Sequence, residues 1–212
     1  MTPQEAALER GLAELSLGGN RAGVRDRLLA YLDLLAKWNR TYNLTAIRDP
    51  LKMVSHHVLD SLATSACLPE GRLVDVGSGG GAPGIPIAIA QPAREITLLD
   101  ANLKKVAFLR QAVIELELSN TSVHAGRVED WHPERLFAVA ISRGFSTLGQ
   151  MIAACRHLIE PTGCIAAMKG AYPREELAGV AAGDVRCTAT KIDVPQLGAE
   201  RHLVLCSIGA RA

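Results

Sequence analysis

The segment Leu73-Val74-Asp75-Val76-Gly77-Ser78-Gly79-Gly80-Gly81-Ala82-Pro83-Gly84 constrains this chain more than any other. A short apolar run enters a turn crowded with glycine, and Ile85 to Gln91 then reads as a helix. Glycine permits a sharp reversal and lets a ligand approach the main chain closely. Asp100 stands 23 residues after Gly77, at the end of the next apolar run, Glu95 to Leu99. A carboxylate so placed accepts hydrogen bonds from both hydroxyls of a ribose. The spacing therefore predicts an adenosine site where parallel strands end.

Charge decides which adenosine ligand fits. The turn satisfies the loose G-x-G-x-x-G/A dinucleotide pattern through Gly77, Gly79 and Ala82. However, Asp75 lies two residues before the first glycine, where its charge would face a pyrophosphate. Pro83 and Pro86 also remove two amide donors from the start of the following helix, where a pyrophosphate needs them. A cationic sulfonium carrying an amino acid has the opposite preference, and Asp75 suits its ammonium. The reading favours S-adenosylmethionine over NAD. Asp100 can also cap the Asn102 segment, and the two roles are compatible.

The rest of the chain supplies a scaffold. Thr2-Pro3-Gln4-Glu5 has the form of a capping box with proline in the first turn, and Gly18-Gly19 ends that helix. A second helix runs from about Gly23 to Trp38, with Val24, Leu28, Tyr31, Leu35 and Trp38 on one face. Asn39 to Asp49 is a polar connection. Asp49-Pro50 starts a third helix, which reaches about Ala66 with Val54, Val58, Leu62 and Ala66 aligned. From Leu68 onward short apolar runs alternate with helical stretches. Strands are expected at Arg72–Val76, Glu95–Leu99, Val123–His124, Phe137–Ser142 and Cys164–Met168, then at Val185–Val194 and His202–Ser207. Helices are expected at Leu103–Leu116, Leu148–Leu158 and Pro173–Ala182. Alternation of this kind implies a parallel sheet covered on both faces, and the closing strand pair implies an antiparallel edge. Residues 1–67 are expected to form a helical N-terminal region and 68–212 a Rossmann-like domain.

Composition narrows the function classes. Lys plus Arg total 23 against 22 for Asp plus Glu, a formal charge of +1. A protein that coats nucleic acid is far more basic, whereas an enzyme visiting RNA briefly needs only a local patch. The five cysteines are scattered with no C-x-x-C pair, so no structural zinc site is expected, and they read as reduced, buried thiols. No apolar run approaches the roughly 20 residues that span a bilayer. The N-terminus lacks the pattern of a signal peptide. Together these point to the cytoplasm.

Specific stretches carry a resemblance. They are Lys37-Trp38-Asn39 with Tyr42-Asn43-Leu44-Thr45, His57 with Leu59-Asp60-Ser61, Asp75-Val76-Gly77-Ser78-Gly79, and Pro83-Gly84-Ile85-Pro86. Then follow Phe108-Leu109-Arg110, Arg127-Val128-Glu129, Ile141-Ser142-Arg143, Lys169-Gly170 and Glu200-Arg201-His202-Leu203-Val204. In these the chain resembles the bacterial RsmG family, also called glucose-inhibited division protein B, over nearly its whole length. The resemblance implies a class I S-adenosylmethionine-dependent methyltransferase: a Rossmann-like, mostly parallel seven-stranded sheet with an antiparallel strand, behind a small helical extension. It implies transfer of a methyl group to N7 of a guanine in 16S rRNA of the small ribosomal subunit. It also implies cofactor contacts at Gly77, Ala82, Val128, Glu129 and Arg143. The chain departs from the family's habit at Ala82, where a bulkier residue is common, at Gly80, and at His56, where a basic neighbour is common.

The chemistry asks little of the protein. Guanine N7 carries a free lone pair, so no general base is required, and alignment with exclusion of water supplies the rate. In A-form RNA the groove exposing N7 is deep and narrow, so the target base must be unpaired or turned out of its stack. Arg143, after the fourth strand, is the candidate catalytic residue. It is expected to hold O6, a phosphate or the cofactor carboxylate, because bidentate binding to O6 and N7 would block the reacting atom. Phe145 is open to stacking on a base or to packing in the core. Arg127, Lys169 and Arg201 are expected to contact RNA, with Arg40, Arg48 and Lys52 as further members of that track. Each of these also reads as an ordinary surface charge. His57 and Asp60 are read as a structural hydrogen-bond pair, and Asn39 and Asn43 either cap the polar connection, the reading slightly preferred, or border the substrate pocket. A monomer without metal is expected. Three other functions stay compatible with the residues: an NAD-dependent oxidoreductase, which would lack a Tyr-x-x-x-Lys pair, a non-catalytic S-adenosylmethionine-binding ribosome-associated protein, and a small-molecule methyltransferase.

Overall fold

A computed structural model describes residues 1–15, 21–180 and 184–208. The expected stop at Gly18-Gly19 and the end of the expected Pro173–Ala182 helix lie outside the described residues. Helix α1 (Pro3–Glu14) begins as predicted: Thr2 Oγ1 accepts from Glu5 N at 3.2 Å while Glu5 Oε2 accepts from Thr2 N at 2.8 Å. Helix α2 (Arg21–Tyr42) runs one turn beyond the expected end at Trp38. Asp49 caps the next helix through Lys52 N at 2.9 Å. That helix is not uniform. It is α-helical over Pro50–Met53 (α3), π-helical over Val54–Leu59, and α-helical again over Asp60–Ser65 (α4). Period-3.6 patterning cannot register the inserted residue of a π turn, and Ala66, expected on the buried face, is exposed.

The second part alternates β1 (Leu73–Val76), α5 (Gly84–Ala90), β2 (Ile96–Asp100), α6 (Leu103–Glu115), β3 (Thr121–Ala125), β4 (Phe137–Arg143) and α7 (Leu148–Cys155). It continues with β5 (Ile159–Lys169), α8 (Arg174–Val180), β6 (Val185–Lys191) and β7 (His202–Ile208). The seven strands are ordered β3-β2-β1-β4-β5-β7-β6. Strands β1 to β5 pair in parallel, and β7 runs antiparallel to both neighbours. The antiparallel strand is therefore inserted between β5 and β6 rather than forming the edge itself. The chain moves from β1 out through β2 to β3, then crosses back to place β4 on the other side of β1. That reversal opens a crevice beyond the carboxyl ends of β1 and β4, the position where such sheets receive ligands.

Strand alternation sorts the core into two layers. Leu73, Ile96, Leu98, Val139, Ile141 and Ala166 face one side, with Ile85, Ile87 and Phe108 of α5 and α6. Val74, Val76, Leu99, Ala140 and Ile165 face the other, with Leu148, Met151 and Ile152 of α7. The N-terminal helices have no core of their own. Ala7, Leu8, Leu28, Tyr31, Leu35 and Leu59 belong to the first layer. Gly11 of α1 makes this possible, since a Cβ there would stand 2.3 Å from Leu59 Cδ1.

The cysteine expectation needs correction. Cys155 and Cys164 are buried thiols as expected, but Cys67 is exposed and Cys187 is disulfide-bonded to Cys206. The two sit directly opposite one another in the β6–β7 ladder. Register brings them together although 19 residues separate them.

Candidate active site

The glycine turn is held from beneath by main-chain bonds. Gly77 N and Ser78 N both donate to Leu99 O, at 2.8 and 3.1 Å. Gly77, Gly79 and Gly81 have φ of +73°, +55° and +87°, a region that L side chains rarely enter. A Cβ on Gly77 would meet nothing within 4 Å, so this bend faces open space above β1. Asp100 ends β2 beneath the turn. Its Oδ2 accepts from Gly79 N at 2.9 Å and its Oδ1 from Asn102 N at 2.8 Å. The carboxylate thus ties the turn to Asn102, which caps α6 in its place by accepting from Lys104 N at 3.0 Å, and each oxygen of Asp100 retains a second lone pair for a ligand. Leu103 follows at 75% exposure, an apolar face beside that carboxylate which polarity patterning did not single out.

The start of α5 offers nothing to an anion. Gly84 N donates to Asp75 Oδ2 at 2.9 Å, Ile85 N to Gly81 O, and Ile87 N to Pro83 O, while Pro86 has no N–H. Every amide in that first turn is used or missing. Asp75 itself is buried, and its Oδ1 has no hydrogen-bond partner. Burial pushes its carboxyl up to about 7, against the pull of Gly84 N and Arg143. An orphaned buried carboxylate oxygen beneath a helix start with no free amide donor suits a cationic ligand better than a pyrophosphate.

Helix α2 braces the same turn. Tyr31 Oη donates to Gly80 O at 2.7 Å, and burial raises the phenol's pKa. A Cβ on Gly80 would come within 3.1 Å of Leu35 Cδ1 and 3.7 Å of Leu44 O. A side chain here would have to push Leu35 aside, so glycine lets the turn lie close to the N-terminal helices. Ala82, by a cis bond to Pro83, is buried.

Arg143, at the end of β4, reaches across to the π turn. Its Nη1 donates to His56 O, Nη2 lies 3.0 Å from His57 Nδ1, and Nη1 is 3.6 Å from Asp60 Oδ2. An arginine has only donors, so His57 Nδ1 accepts and its proton sits on Nε2. Burial and the Arg143 charge lower the His57 pKa to about 3, keeping the ring neutral. His57 Nε2 in turn lies 3.0 Å from Thr45 Oγ1, and Asn39 Oδ1 accepts from Thr45 N at 2.9 Å. Asn43 has φ +49° and its Oδ1 accepts from Arg48 Nη2, so both asparagines shape the connection as expected. His57 and Asp60 do not bond to each other, contrary to expectation. They share Arg143 instead.

The basic residues divide. Arg201 Nε donates to Asp60 Oδ1 at 2.7 Å, and Lys169 Nζ lies 2.8 Å from Glu176 Oε2. Asp60 is fully buried, and burial pushes its carboxyl up while Arg201 and Arg143 pull it back. Removing either arginine would strand buried charge, so Arg201 belongs to the fold before it belongs to a substrate. Arg127, Arg40, Arg48 and Lys52 are exposed. Val128 is buried and Glu129 exposed in a 3-10 turn (Val128–Asp130) after β3. Phe145 packs against the second core layer. Among the described residues no group of His, Cys, Asp and Glu has the makings of a metal site. A crevice of about 700 Å3 lined by Leu15, Ile192, Asp193 and Gly198 contains none of these residues.

The family model described as GidB, rRNA small subunit methyltransferase G, matches residues 25–204. The chain belongs to this family. Proteins named ribosomal RNA small subunit methyltransferase G are 52% identical over 197 residues in Laribacter hongkongensis, covering 93% of this chain and 95% of that protein. In Chromobacterium violaceum the identity is 50% over 205 residues, covering 96% and 98%. Solved methyltransferases share the architecture at low identity. The DhpI complex with SAH superposes with a TM-score of 0.59 at 14% identity, covering 91% of this chain and all of that one. An O-methyltransferase from Klebsiella pneumoniae gives 0.58 at 12%, covering 96% and 97%. The glycine turn, Asp75, Asp100 and the Arg143 cluster described above all fall inside the stretch that matches the GidB model.

Proposed function

We propose that this GidB-family protein transfers a methyl group from S-adenosylmethionine to N7 of a guanine in 16S rRNA of the small ribosomal subunit. Family membership supports the substrate. The observation that supports the cofactor lies where the turn between β1 and α5 meets the helix: the amides that open α5 are used or missing while Asp75 Oδ1 lies buried and unpartnered beneath. The cofactor supplies an electrophilic methyl group. The chain's residues bind and align. Asp100 accepts from the ribose hydroxyls with its remaining lone pairs, and Asp75 balances the ammonium charge. Gly77, Gly79 and Ala82 lend main-chain contact, and Val128 and Glu129 border the adenine. Arg143, fixed by His56, His57 and Asp60, keeps unused N–H groups for the base or a phosphate and stays off N7. Arg127 guides RNA at the rim, whereas Lys169 and Arg201 reach RNA only by sharing their present partners. Residues 1–67 act as the cover of the cofactor turn and 68–212 as the catalytic domain. The protein works in the cytoplasm as a monomer without metal.

Calorimetry with S-adenosylmethionine and NAD, followed by mapping of labelled methyl groups on small-subunit rRNA, tests this. Binding of the first ligand alone and a single N7-methylguanosine are expected. Preference for NAD, or label at another atom, would refute it.

A further inference from the structure

Hydrogen-bond direction is dictated along the chain of contacts from Arg143 to Thr45. Arg143 only donates, so His57 Nδ1, 3.0 Å from Nη2, is an acceptor. The neutral ring then carries its proton on Nε2, and Thr45 Oγ1, 3.0 Å away, must accept it. Ile47 N donates to the same Oγ1 at 3.1 Å. A hydroxyl oxygen has two lone pairs and one proton. Both lone pairs of Thr45 are taken, and its proton has no acceptor in the described structure. An ordinary threonine can donate or accept. This one is restricted to donating.

Its position gives the restriction a use. Thr45 is half-buried, and the preceding residue, Leu44, lies against Gly80 of the cofactor turn. Through His57 it is one residue removed from Arg143 at the end of β4. The hydroxyl therefore stands between the turn that would hold the methyl donor and the strand end where a base would meet it. On guanine, the edge that carries N7 also carries O6, an acceptor. On adenine the same place is an amino donor. A group that can only donate bonds to the first and opposes the second.

We propose that Thr45 reads the O6 atom of the target guanine, with His57 and Arg143 as positioning residues that deny its hydroxyl any accepting role. This rests on the guanine-N7 reading above and adds the residue that selects the base. Arg143 need not then supply that discrimination.

The test uses small subunits reconstituted with rRNA bearing guanine or 2-aminopurine at the mapped target. The analogue keeps N7 and lacks O6. Wild-type enzyme is expected to methylate guanine at least ~10-fold faster than 2-aminopurine, as the loss of one buried hydrogen bond implies. Thr45→Val and Thr45→Ala should slow guanine methylation ~10–100-fold while leaving 2-aminopurine nearly unchanged, so the ratio collapses toward one. Thr45→Ser should keep the ratio. Calorimetric affinity for S-adenosylmethionine, unchanged in the variants, confirms an intact fold. A preserved ratio in either hydroxyl-free variant that binds the donor normally would overturn the proposal. So would a wild-type enzyme indifferent to the analogue, whatever the variants do. Wild type that leaves the guanine substrate unmethylated would instead overturn the underlying function.

Discussion

At the scale of single residues, two carboxylates beneath one loop have separate tasks. Asp100 has both oxygens engaged by backbone N–H groups and lone pairs to spare. Replacing it with alanine should weaken S-adenosylmethionine binding ~10–100-fold by calorimetry, the scale of lost charge-assisted hydrogen bonds. Unchanged affinity would remove the ribose from its role. Asp75 is different, because burial holds its pKa near 7 against 3.8 for an ordinary aspartate. The folded protein therefore binds this proton more tightly than the unfolded chain does. Its contribution to stability is complete below about pH 4 and is lost as pH rises to about 7. His57, lowered to about 3, works in the opposite sense, losing stability as pH falls through its titration. A difference measurement separates them. Subtracting the melting profile of Asp75→Asn from that of the wild type, without ligand, should leave a decline between pH 4 and 7. A flat difference would contradict a buried, proton-holding Asp75.

At the scale of elements, the sequence exposed what depends on neighbours along the chain and concealed what depends on neighbours across it. The glycine turn, the acid ending β2 and the Thr2 and Asp49 caps are local devices, and all were legible. The π turn was not, because its carbonyl at His56 is held by Arg143, 87 residues distant. Nor was the Cys187–Cys206 pairing, which follows from β6–β7 register. Tyr31 is an instructive intermediate: spacing placed it on the buried face of α2, but only the fold shows its hydroxyl on Gly80 O. Tyr31→Phe keeps the ring and removes that bond. It should lower cofactor affinity about three- to tenfold, with a loss of ~1 kcal/mol in denaturant unfolding. An affinity equal to wild type would show that α2 covers the turn without bracing it. For the candidate site, residue identity marked Arg143 and Arg201 as functional charges. It could not reveal that both converge on one buried acid.

For the whole molecule, the division at residue 67 marks a change of architecture within one hydrophobic layer. Leu8, Leu28 and Leu59 pack into the same cluster as Ile85, Phe108 and Ile141. Deleting residues 1–67 would uncover that layer and strand Arg143 and Arg201 without Asp60. The truncated chain should aggregate or lose cooperative unfolding, read by size-exclusion chromatography and circular dichroism. A monodisperse, cooperatively folding fragment would establish two independent domains.

Asp60 is fully buried and is met by Arg143 from the middle of the chain and Arg201 near its end. During synthesis the carboxylate appears early, and Arg201, its second counter-charge, follows 141 residues later. The pocket cannot be electrically complete until then. A nascent chain that stops short of Arg201 would carry every residue of the cofactor turn, and Arg143 with it, yet leave Asp60 Oδ1 without its charged donor.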